Sequence, residues 1–215
     1  MENRQNYNQV TLRGTVLTSP EPSHENHGEL FYRFTLQIPR LSGQEDLLTV
    51  LAGERVLSAH FPREREPLAV FGQLRSFNNR SVQGRRLVIS VFARQLAATE
   101  EEPLNQICLC GTLCKKPVLR RTPLGRSICD LLLAVNRRYG RADYLPCIAW
   151  GQVALETGEL DVGEPLALEG RVQSRIYSKV LEDRVEERTA YEVSIMRLLE
   201  ADALLSGGEA GNFRE

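Results

Sequence analysis

The sequence predicts an all-β protein with one short helix per domain, built as two small closed barrels in tandem. Three observations predict it. The 215-residue chain repeats itself at an offset of 97 residues. Its apolar residues alternate at period two over short runs, the mark of half-buried strands. Proline, glycine and polar clusters break those runs at close intervals.

The repeat is plainest near the start of each half. Residues 8–16 read NQVTLRGTV and residues 105–113 read NQICLCGTL, with five of nine positions identical. Average residue usage supplies about one such match. The same offset pairs Pro20 with Pro117, Leu36 with Leu133, Arg40 with Arg137, Gly43 with Gly140 and Asp46 with Asp143. It then drifts by one, to Gly72 with Gly170 and Ser76 with Ser174, and Ile89-Ser90-Val91 answers Val193-Ser194-Ile195. Two domains follow, residues 1–99 and 105–200, joined by the acidic linker 100–104.

Each element has its signal. Val10, Leu12 and Val16, with Ile107, Leu109 and Leu113, predict the first strand of each copy. Phe34, Leu36 and Ile38, with Leu131, Leu133 and Val135, predict the second. Tyr144 and Trp150 bracket the third strand of the second copy, where the first copy has Leu47 and Ala52. A helix follows, over about Glu54 to His60 and about Gln152 to Glu156. The fourth strand runs from Pro67 to Phe77 and from Pro165 to Tyr177. Arg80 to Arg86 reads as a polar turn. Leu87 to Phe92 and Tyr191 to Met196 close each copy. Leu198 to Leu205 is expected to add a helical turn or two and Ser206 to Glu215 is glycine-rich, so residues 201–215 are expected to form a flexible C-terminal tail. Five short strands and one helix per copy bury their edges most economically in a closed barrel.

Composition excludes several classes. With 42% hydrophobic and 26% charged residues, the chain is neither disordered nor fibrous. No run approaches the ~20 apolar residues of a membrane helix, and the N-terminus lacks a secretory apolar core. A cytoplasmic protein without membrane contact is expected. The net charge is -1, so any binding of polyanions must use local positive charge. Cys108, Cys110, Cys114, Cys129 and Cys147 contain no CxxC pair, and the three histidines lie in the other half, so no metal site is expected. The thiols read as structural. No nucleophile, metal or phosphate-loop motif appears, so neither enzyme activity nor a cofactor is expected.

The second copy interleaves aromatic and basic residues. Tyr139 follows Arg137 and Arg138. Tyr144 and Trp150 share a strand. Tyr177 follows Arg171 and Arg175 and precedes Lys179. Lys115, Lys116, Arg120 and Arg121 crowd the first loop. Single-stranded nucleic acid asks for this chemistry, because bases stack on flat side chains and cations follow the phosphates. Taken singly, each aromatic is equally at home in a core. The set, with arginines between its members, points to binding.

Asn105 to Leu199 resembles the DNA-binding domain of bacterial single-stranded DNA-binding proteins. The matching text includes Gly111-Thr112-Leu113, Arg120-Arg121-Thr122-Pro123-Leu124-Gly125, Leu133-Ala134-Val135-Asn136-Arg137, Ala149-Trp150-Gly151 and Glu169 to Tyr177. The resemblance implies OB-folds, which are five-stranded Greek-key barrels, and sequence-tolerant binding of single-stranded DNA. It implies stacking at Tyr139, Tyr144, Trp150 and Tyr177. It also implies a homodimer that brings four OB domains together, with replication or mobile-element proteins as possible partners. Two departures stand out. The first copy lacks the aromatic set. It keeps Arg13, Arg40, Arg75 and Arg80, with Phe77 shifted in register and Phe31 or Tyr32 nearby, and is expected to bind weakly or to serve assembly. The acidic, apolar tip usual in the family is missing, so recruitment through the tail is not expected. An alternative remains open: a protein–protein interaction module, such as a replication-restart accessory, that touches DNA weakly.

Overall fold

The computed structural model describes residues 7–81, 84–137, 140–180 and 185–200. In the first copy the elements are β1 (Tyr7–Val16), β2 (Glu21–Asn26), β3 (Glu29–Pro39), β4 (Glu45–Gly53), α1 (Glu54–Ala59), β5 (Pro67–Ser81) and β6 (Gly84–Ala98). In the second they are β7 (Leu104–Leu113), β8 (Val118–Arg121), β9 (Ser127–Asn136), β10 (Ala142–Trp150), α2 (Gly151–Gly158), β11 (Pro165–Val180) and β12 (Val185–Leu199).

The strand order of the first copy is β2-β3-β4-β6-β5-β1, and β1 returns to pair with β3. That closes a five-stranded barrel of β1, β3, β4, β5 and β6. The β4–β6 contact is its parallel pair, Val50 beside Val91. The second copy repeats this as β7-β11-β12-β10-β9-β8, closed by β7 on β9. These are tandem OB-fold barrels, as the sequence predicts. Alternation places the core. Leu12, Phe34, Leu36, Leu48, Val50 and Leu74 fill the first barrel, each 2% exposed or less. Leu109, Leu133, Leu145 and Leu168 fill the second, each fully buried. Each such side chain contributes about 1.5–3 kcal/mol through burial.

Four sequence expectations change. β2 and β8 were not anticipated. Every residue of both is exposed, and neither EPSHEN nor VLRR alternates, so no core pattern marks them. Both are edge strands, where Pro22 is tolerated. The fourth and fifth strands run longer than the apolar pattern, because pairing continues outward beyond the barrel. Arg80 and Arg85 face each other within that ladder, so most of the supposed polar turn is strand. Leu198 and Leu199 end β12 as strand, and residues 201–215 lie outside the described residues. The last strand also aligns two residues off. Gly72 lies against the carbonyl of Phe92 and Gly170 against that of Ser194, where an added Cβ would approach to 2.2 and 2.4 Å. Phe92 therefore answers Ser194.

Packing divides the chain into two compact units. One joins residues 9–107 with 172–193, and the other holds the remaining described residues.

Candidate nucleic-acid interface

The second copy presents one outward face across three strands. On β10, Leu145, Cys147 and Ala149 point into the barrel, so Tyr144, Pro146, Ile148 and Trp150 share the other side. Tyr144 is 45% exposed and Trp150 42%. Six residues of strand separate them by about 20 Å. Register extends the face sideways. Trp150 lies opposite Ile128, and Ile128 opposite Arg120, so the ring and the guanidinium share one cross-strand row. Pro146 lies opposite Leu132, and Ile148 opposite Asp130, which in turn faces Val118. The result is an apolar strip with an aromatic at each end and a cation at its flank. Arg120 Nε donates to Asp130 Oδ2 at 2.6 Å. Both partners are about half exposed, so water screens this ion pair and it contributes little to stability.

The other predicted residues divide by what they touch. Lys115 and Lys116 are exposed in the β7–β8 connection. Arg121 faces Ser127 on the opposite side of the hairpin from Arg120. Arg175 is exposed on β11 and Arg171 half-buried. Tyr177 and Lys179 lie further along β11, and Arg80 on β5; their side chains lie outside the described residues, as do Arg138 and Tyr139 altogether. Arg137 is committed elsewhere. Its Nε donates to Asp143 Oδ2 at 2.6 Å and its Nη2 to Oδ1, and Asp143 is fully buried. Arg40 does the same to buried Asp46 in the first copy. Arg13 pairs with Glu101. The repeat showed these Arg–Asp pairs in sequence, six residues apart in both halves, but not that the carboxylates are internal.

The first copy arranges its aromatics differently. Register sets Leu47 at the place of Tyr144, and Gly53, not Ala52, at the place of Trp150. Phe31 faces Gly53, and a Cβ on Gly53 would meet the Glu29 carboxylate first, with Phe31 Cε1 3.3 Å away. Phe31 stacks on His24 with centroids 5.2 Å apart and leans on Phe92 at 5.6 Å. The Arg75 guanidinium lies 5.9 Å from the Phe92 centroid. This ladder leaves Phe31 only 7% exposed. Sequence reasoning missed Phe92 and His24. The usable signal was parity, since Phe31 alternates with the inward Phe34, Leu36 and Ile38. Phe77 is 49% exposed on β5 and, with Ser76 answering Ser174, takes the place of Arg175.

All five cysteines are free thiols, with Cys129 and Cys147 buried. Burial pushes the Cys108, Cys110, Cys114 and Cys129 thiols above the ordinary value. Among the described residues, no three His, Cys, Asp or Glu side chains gather to hold a metal, and no helix is long and apolar enough to cross a membrane.

Residues 104–199 match the model of the single-strand binding protein family. Single-stranded DNA-binding protein 2 of Listeria monocytogenes is 30% identical over 118 residues, covering 52% of this chain and 74% of that protein. This chain belongs to the single-strand binding protein family. Family likeness extends to the single-stranded DNA-binding protein of Halalkalibacterium halodurans, 32% identical over 43% of this chain and 56% of the relative. Protein A of that name from Bacillus subtilis is 35% identical over 38% and 52%. The chain thus spans about half the length of several curated relatives. The solved single-stranded DNA binding protein from Thermus aquaticus covers both copies: TM-score 0.74, 26% identity, 91% of this chain and 93% of that one.

Proposed function

We propose that this protein binds and protects single-stranded DNA with little regard to sequence, in replication, recombination or repair. The observation that carries this reading is the outward strip of the second copy. Two half-exposed aromatics flank an apolar floor, with Arg120 in the row of Trp150. Bases stack on Tyr144 and Trp150, each stack contributing about 1–3 kcal/mol. Arg120, Lys115, Lys116 and Arg175 follow the phosphates, and Arg171, Tyr177 and Lys179 extend the path along β11. Residues 105–200 form the principal binding domain and residues 1–99 the weaker one. A homodimer would supply four OB domains, the closed two-fold assembly that tandem copies favour.

A second reading is supported by the first copy, where His24 and Phe92 cover Phe31, and by the nearly neutral charge of the whole chain. On that reading the protein is an interaction module with weak DNA contact. Titration with oligo-dT at low salt, followed through Trp150 fluorescence, separates the two. A saturating quench reversed by salt supports strand binding, because neutralised phosphates release counterions. An unchanged signal with no complex on a gel moves the interaction module to first place.

A further inference from the structure

The β11–β12 hairpin extends beyond its barrel, and its residues 172–193 pack in the same unit as residues 9–107. A polar cluster joins them. Asp46, 1% exposed, accepts from Arg40 Nε at 2.9 Å and from the backbone N–H of Ser174 at 2.9 Å. Arg40 Nη2 also donates to the Ser174 carbonyl at 3.2 Å, and the Leu47 N–H donates to Ser174 Oγ at 3.0 Å. Asn105 brackets Val172, donating to its carbonyl at 2.6 Å and accepting from its N–H at 3.0 Å. The Thr49 and Tyr191 hydroxyls meet at 3.2 Å. The bond to Asp46 outweighs burial and holds the Arg40 proton more tightly than usual.

A buried ion pair is a poor source of net stability, because desolvation offsets attraction. What it supplies is one geometry: a misplaced partner leaves a charge buried. Here that geometry fixes the backbone of β11 at residues 172 and 174. The next residues outward are Arg175, Tyr177 and Lys179, and a two-stranded hairpin by itself is marginal in water.

We propose that Arg40 and Asp46 of the first copy are positioning residues, which clamp the backbone of β11 so that Arg175 and the strand beyond it meet the nucleic acid pre-ordered. This rests on the single-stranded DNA reading above. It gives the first copy a task in binding that does not require its own aromatics to touch a base. Pre-ordering the β11 backbone lowers the entropy cost of fixing the arm on binding.

The test compares full-length wild type with Asp46→Asn and Ser174→Ala, the milder variant that removes only the acceptor for Leu47 N–H. Hydrogen exchange of residues 172–193 reads the clamp. Oligo-dT affinity, its salt slope and the Trp150 quench at saturation read the consequence. Asp46→Asn is expected to speed exchange in the arm, weaken binding roughly five- to fifty-fold and reduce the salt slope by about one or two phosphates. The saturating Trp150 quench should persist, since β10 is not clamped. Ser174→Ala should move the same quantities less, and decides the matter if Asp46→Asn does not fold. A general loss of stability would lower the melting temperature without changing the salt slope of the folded protein. Wild-type affinity and slope in a folded variant, with or without faster exchange, would overturn the clamp alone. Failure of wild type to bind oligo-dT would overturn the strand-binding reading and the clamp with it.

Discussion

Replacing Tyr144 and Trp150 with alanine, singly and together, tests the outward strip directly. Each ring is more than two-fifths exposed, at 45% and 42%, so neither substitution opens a core cavity. Folding should change by only about 0.5 kcal/mol, the usual scale for surface positions. Binding should change far more. A base stack contributes about 1–3 kcal/mol, and tenfold in affinity corresponds to about 1.4 kcal/mol, so each variant should bind roughly 5- to 150-fold more weakly. The rings stand about 20 Å apart along β10, beyond the ~7–10 Å at which substitutions usually couple, so the two losses should multiply. Anisotropy of a labelled oligo-dT at fixed low salt measures the losses, and thermal melting of the free protein controls for folding. Losses under about twofold in both single variants would refute the stacking geometry, because the lower bound for one stack exceeds that. Affinity losses that merely tracked melting temperature would refute it too.

Arginines should separate by partner. Arg120→Gln is expected to lower the salt slope by about one phosphate in a salt titration while leaving stability nearly unchanged. Arg137→Gln removes the guanidinium beside a fully buried carboxylate and should cost about 3–5 kcal/mol in urea unfolding with no change in slope. Phe31→Ala should behave as a core truncation, destabilising by about 3–5 kcal/mol in the same assay, with a far smaller effect on DNA affinity than Trp150→Ala. The thiols set a pH dependence. Burial raises Cys108, Cys110, Cys114 and Cys129, so unfolded thiols release protons at lower pH than folded ones. Between those values the folded state binds more protons, and stability should fall as pH rises. Urea midpoints should stay level with respect to the thiols below the ordinary thiol range and decline above it. Cys108→Ser with Cys110→Ser should reduce the decline.

Much was legible in the sequence because the repeat doubled every signal. Alternation at Leu12, Phe34, Leu36, Leu133 and Leu145 named the inward faces, since a barrel interior takes mainly apolar side chains at period two. The short helices after β4 and β10 and the closed barrels followed from the repeated pattern, whereas the outward exposure of Tyr144 and Trp150 did not. Tertiary structure alone decided the rest. The edge strands β2 and β8 bury nothing, so no pattern announces them. Arg120 and Arg121 look equivalent in sequence, and only strand register places the first on the face of Trp150. Arg40 and Arg137 look like phosphate ligands until Asp46 and Asp143 prove to be internal. Gly53 stands at the place of Trp150, with Glu29 and Phe31 of the neighbouring strand against it, an arrangement that no linear comparison of the copies displays. For Arg120 and Phe31 the deciding contact joins residues on different strands, and the chain order carries no record of which face they share.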